Sequence, residues 1–116
     1  MEFEKSKLIE LKEKFDSIIN TEEKDNIEFW YARDLQIQLG YKRWENFIET
    51  IKKAMQSCEN AGIEVDNHFR EVTKMVQIGS GARRNLQDYM LTRYACYLIA
   101  QNGDSKKEEI AFAQTY

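Results

Sequence analysis

The side chains in this 116-residue chain best suited to meeting a charged ligand are bases set around turns. Lys42 and Arg43 follow Gly40. Lys74, Arg83 and Arg84 flank Gly79-Ser80-Gly81, and Arg93 comes soon after. An ammonium or guanidinium group held at a turn is a phosphate contact, because it donates several charge-assisted hydrogen bonds to anionic oxygens. Arg83 and Arg84 are adjacent, so in an extended strand they point to opposite faces and cannot both enter one core. Tyr41, directly before the Lys42-Arg43 pair, can stack on a nucleic-acid base or pack over the turn.

Other chemistries find little support. His68 is the sole histidine, and no serine has a histidine and an acid in a familiar arrangement. Gly79-Ser80-Gly81 is too short for a phosphate-binding loop of the strand-to-helix kind. Asp34, Asp66, Asp88 and Asp104 do not recur at a spacing that suggests a two-metal site. Cys58 and Cys96 lie far apart and belong to no CxxC pair, so they read as small buried hydrophobes in a reducing compartment. The expectation is a non-catalytic, cytoplasmic chain that needs no metal and no cofactor. It begins with charged residues rather than a signal peptide, and it has no apolar run of the roughly 18 residues that span a bilayer.

The net charge is −3, which taken alone disfavours a polyanionic partner. The charge is uneven, however. Residues 1–28 hold five lysines against nine acids (5 − 9 = −4), whereas residues 29–55 hold five bases against three acids (+2) and residues 70–94 five against two (+3). Patches rather than totals set the local attraction for an anion.

The elements that must position these bases follow from periodicity. Leu8, Leu11, Phe15 and Ile18 stripe one side of an N-terminal helix, which is expected to dock on its own domain or, alternatively, to pair with a second copy. Residues 20–27 are polar and read as a loop, so residues 1–27 form a helix-and-loop lead to a domain over 28–116. Glu28–Tyr31 predicts a short strand, and 32–39 a helix of about two turns that Gly40 ends. The steps between Trp44, Phe47, Ile48, Ile51, Ala54, Met55 and Cys58 predict a helix over 44–60. Residues 71–78 alternate, with Val72, Val76 and Ile78 on one side and Lys74 as the exception. Together with the run after Gly81 they predict a β-hairpin. Thr92 is the expected N-cap of a helix ending near Gly103, and Ser105 to Glu108 a capping box opening a last helix. No stop signal precedes Tyr116, so the chain is expected to continue in the native protein. The fold class is α+β, a small antiparallel sheet with a β-hairpin packed against several helices.

Residues 28–47, EFWYARDLQIQLGYKRWENF, resemble the opening motif of the BRO-type N-terminal domains of phage antirepressors and large-virus proteins, with Ala32, Asp34, Leu35, Leu39, Gly40 and Tyr41 in the matching places. The stretch from Asn67 onward, NHFREVTKMVQIGSGARRNLQDYMLTRYACYLIAQNG, is similar to the N-terminal part of the bacterial family of DNA damage-inducible D proteins. The resemblance implies a BRO-N-like fold in a cytoplasmic protein of the damage (SOS-type) response, with no catalytic residues. DNA is then the expected partner, of unspecified strand type, contacted by Arg83, Arg84, Lys74, Lys42, Arg43, Arg93 and Tyr41. The alternative is an antirepressor-like module that binds a repressor or a recombination or repair protein, with a possible homo-oligomer through the N-terminal helix.

Overall fold

A computed structural model describes residue 9 and residues 12–103. Helical residues 12–17 lead into β1 (Asn20–Glu22) and β2 (Ile27–Tyr31). Next come α1 (Ala32–Gln38), α2 (Trp44–Asn60), a single 3-10 turn (Val65–Asn67), β3 (Phe69–Gln77), β4 (Arg83–Leu91) and α3 (Arg93–Gln101). The four strands form one sheet in the order β1-β2-β4-β3, and every neighbouring pair is antiparallel. This is the expected α+β arrangement. Leu8, Leu11 and the helix expected from Ser105 lie outside the described residues.

The loop expected over 20–27 is instead a hairpin. Asn20, Thr21 and Glu22 pair with Phe29, Glu28 and Ile27. Asn26 closes the turn with φ 58°, donating its N–H to the Glu22 carbonyl at 2.8 Å. Asparagine tolerates that left-handed conformation better than most residues.

The core lies between one face of the sheet and α2 and α3. Trp30, Phe69, Tyr89 and Leu91 from the strands meet Phe47, Ile51, Ala54 and Cys58 from α2, with Ala95, Cys96 and Ile99 from α3. Burying each large apolar side chain contributes about 2 kcal/mol. Phe15 stacks on Trp30 at 4.5 Å and accepts the indole N–H on its carbonyl at 3.0 Å, and Ile18 packs on the same cluster. The described part of the N-terminal segment is thus docked on its own domain. Both cysteines are free and buried, and burial pushes both thiols up, away from the reactive thiolate.

Local signals explain the joints. Thr92 caps α3, its Oγ1 accepting the Ala95 N–H at 3.1 Å while also lying 2.7 Å from His68 Nδ1. Gly40, at φ 79°, takes the left-handed conformation that ends α1. At its other end α1 has no cap from its own neighbour Tyr31. The acceptor comes from β4 instead, where Asp88 Oδ1 takes the N–H of Arg33 at 3.0 Å and that of Tyr89 at 2.8 Å.

Candidate nucleic-acid interface

The β3–β4 hairpin decides where the bases go. Its register runs unbroken from Phe69↔Leu91 to Gln77↔Arg83. Opposed residues in such a pair share a face, and faces alternate along each strand. One face carries Phe69, Glu71, Thr73, Met75 and Gln77 with Leu91, Tyr89, Gln87, Asn85 and Arg83. The other carries Arg70, Val72, Lys74 and Val76 with Met90, Asp88, Leu86 and Arg84. At the body end, Phe69, Tyr89 and Leu91 are buried under the helices. Toward the tip, Thr73, Met75, Gln77, Arg83, Asn85 and Gln87 are all exposed, so this half stands clear as an arm. The arm turns at Gly79-Ser80-Gly81, where Ile78 N–H meets the Ala82 carbonyl at 2.9 Å and Gly81 adopts φ 83°. This is the three-residue loop whose last position favours glycine.

A polar chain ties the arm to the bend before α2. The Trp44 indole N–H reaches Gln87 Oε1 at 3.4 Å, and the Gln87 amide donates to Glu71 Oε2 at 2.7 Å. The Tyr89 hydroxyl donates to the same oxygen at 3.3 Å. Burial, and then the Glu71 carboxylate, pushes the Tyr89 phenol up from its ordinary value. Arg33 completes the join, its Nε on the Gln87 carbonyl at 2.9 Å and its guanidinium 4.1 Å from the Trp44 ring centre. Sequence reading missed Arg33 as part of this site; its place inside the Ala32–Asp34 motif was the available signal.

Lys42 and Arg43 directly precede Trp44, the residue that reaches Gln87 on the arm. Both are exposed, and Arg43 meets Glu45 only at 3.9 Å with both side chains about three-quarters exposed (75% and 77%). Such a pair is weak and readily exchanged for another anion. Arg83 is on the face that Gln87 shares, four residues further out, or about 13 Å at the strand rise. It is exposed and leans on Met75 Sδ at 3.9 Å. Arg84 is exposed as well, on the opposite face.

Three of the expected contacts are engaged within the fold. Lys74 is not a free base at the tip: its ammonium is 2.9 Å from Asp88 Oδ2 and 3.3 Å from the centre of the Tyr31 ring. Asp88 is wholly buried, and that ion pair supplies the one partner its Oδ2 has among the described residues. Arg93 is held by Glu28 at 2.8 Å and lies over Trp30. Tyr41 is only 7% exposed, its hydroxyl paired with Thr50 Oγ1 at 3.2 Å and its ring packed on Phe47, so it presents no stacking surface. Of the two options for that residue, packing over the turn is the one realised.

Among the described residues, no group of three His, Cys, Asp or Glu side chains could hold a metal ion, and no helix is long and apolar enough to cross a membrane.

A four-stranded antiparallel sheet with a projecting basic hairpin, the helix pair α1–α2 and the Ala32–Tyr41 motif define the class: the chain belongs to the BRO family, N-terminal domain, whose model matches residues 18–116. Within that class it is similar to DNA damage-inducible protein D of Escherichia coli (strain K12), with 51% identity over 89 residues. The match takes in 77% of this chain and 32% of that relative, so the chain spans about a third of the relative's length. No solved structure matches.

Proposed function

We propose that this domain is a non-catalytic DNA-binding module of a cytoplasmic protein acting in the DNA damage (SOS-type) response. The observation that supports the reading is the Trp44–Gln87 join, which ties the residue after the exposed Lys42 and Arg43 to the arm that ends in Arg83 and Arg84. These four bases keep no strong carboxylate partner among the described residues. The arm and the bend then track backbone phosphates, while Lys74 and Arg93 serve the fold. The similarity to a damage-inducible protein supports the biological setting.

Neutralising about four phosphates gives a salt slope near −3.6, so affinity falls about 150-fold between 50 and 200 mM salt. Replacing Arg83 and Arg84 together with glutamate removes binding in a mobility-shift titration at low salt, whereas Lys74→Gln changes stability more than affinity. An unshifted duplex and an unshifted single strand at low salt would sink the reading.

A second reading, an antirepressor-like module that binds a repressor or a recombination protein, rests on apolar side chains left on the helices. Ile37 on α1 is 73% exposed and Tyr97 on α3 is 56% exposed. Capture of such a protein by the domain after nuclease treatment, lost in Ile37→Asp or Tyr97→Asp, would favour it.

A further inference from the structure

β3 ends the sheet, and among the described residues no strand pairs with its outer edge. It is long, nine residues; exposed charges on it are confined to Arg70 and Glu71 near the base, there is no proline, and no bulge interrupts nine consecutive register pairs. Lys74, the residue best placed as a guard, is turned onto the buried Asp88 instead.

The hydrogen-bond phase of the edge can be read from its two ends. Ile78 bonds to Ala82 at the tip, and Thr92 to His68 at the base, so even-numbered residues of β3 bond inward to β4. By the alternation of an antiparallel ladder, Phe69, Glu71, Thr73, Met75 and Gln77 turn their N–H and C=O groups outward. Two copies that join edge to edge in antiparallel fashion are related by a twofold axis perpendicular to the sheet, so odd residues must meet odd residues.

Charge then selects one register. Centring on Val72 would oppose Arg70 to Lys74 of the partner subunit, and centring on Lys74 would oppose that lysine to itself. Centring on Thr73 opposes no like charges and uses all nine residues. Phe69 meets the partner's Gln77, Arg70 the partner's Val76, Glu71 the partner's Met75 and Val72 the partner's Lys74, with Thr73 on the axis. Five outward pairs exchanging two bonds each give about ten main-chain hydrogen bonds. Met75, 61% exposed in the single chain, is covered, and the partner's Glu71 comes beside Arg83, which already leans on Met75. Threonine facing threonine is itself a favourable cross-strand pair.

We propose that β3 is a self-association edge, and that two copies of this chain join through it in the Thr73-centred register to make one continuous eight-stranded sheet. Sedimentation equilibrium without nucleic acid is expected to show a monomer–dimer equilibrium. Thr73→Lys, at a position exposed in the single chain, places like charges on the axis and weakens the dimer about tenfold or more, while the melting curve recorded at concentrations where the parent is already monomeric stays unchanged. Thr73→Cys is expected to form an intermolecular disulfide under mild oxidation, because opposed Cα atoms in a bonded pair lie about 5.5 Å apart. Ser80→Cys at the tip is not, since the two tips point to opposite ends. The contact is separable from the DNA reading: Arg84→Glu is expected to spare the dimer, and Arg83→Glu to weaken it by facing the partner's Glu71. A monomer at every loading concentration, a dimer indifferent to Thr73→Lys, or cross-linking of Ser80→Cys in preference to Thr73→Cys would overturn it.

Discussion

The two halves of the β3–β4 hairpin are made from similar residues and end in different states. Near the body, Phe69, Tyr89 and Leu91 sit under the helices, and the charged pair Lys74–Asp88 is turned inward. Beyond Lys74 and Leu86 the same ladder continues with Met75, Gln77, Asn85 and the two arginines at its end exposed. Lys74 acts as a structural counter-ion to Asp88, whereas Arg83 and Arg84 are exposed with no carboxylate at ion-pair distance among the described residues. What separates them is the presence of a carboxylate that burial forces to find a cation. Asp88 is such a carboxylate, and the arm beyond Gln87 contains none.

Five variants probe that contrast. Phe69→Ala should cost about 4 kcal/mol by urea denaturation, whereas Val76→Ala on the arm should cost under about 1 kcal/mol; similar losses would erase the distinction. Asp88→Ala should cost about 3 kcal/mol, because it strands the Arg33 and Tyr89 N–H groups and leaves Lys74 without its partner. A Tm shift within error would show that the buried carboxylate organises nothing.

Tyr89→Phe should cost about 1 kcal/mol at neutral pH, for the lost bond to Glu71. Its pH signature is more telling. The folded phenol titrates above its ordinary 10.0, so beyond that pH the unfolded chain has released the proton while the native state still holds it. The contribution is full below pH 10.0 and is lost as pH rises past it, and Tyr89→Phe should flatten that alkaline decline. An identical slope in both proteins would assign the decline elsewhere. The smallest effect belongs to the arm: the double glutamate replacement of Arg83 and Arg84 should leave unfolding within about 0.5 kcal/mol of the parent, whatever it does to DNA.

The parts of the fold legible in the sequence were those whose cause is local. α2 runs from Trp44 to Asn60 as its three-and-four spacing predicts, and the Thr92 cap and the glycine turn of the hairpin fall where their residue types require. What stayed hidden depends on contacts between distant segments. Lys74 broke the alternation of β3 because its partner lies fourteen residues later, on a strand whose register no local pattern fixes. Tyr41 looked half-exposed because its hydrogen-bond donor, Thr50, is two turns into the next helix. β1 was masked by the acids around it, and its pairing is seen only once β2 is in place. The candidate bases divided in the same way: the exposure of Lys42, Arg43, Arg83 and Arg84 was legible from their turns, while the bonds of Arg33 and the ion pairs of Lys74 and Arg93 needed the packed molecule.

The capping of α1 by Asp88 also sets an order of events during synthesis. A helix of seven residues is too short to persist by itself, and here the acceptor for its first turn lies 55 positions downstream. While the ribosome is still translating β3, the segment 32–38 has been made but lacks the group that finishes it. The helix and the far strand therefore become native together, and a chain stalled before Asp88 would carry an unfinished α1.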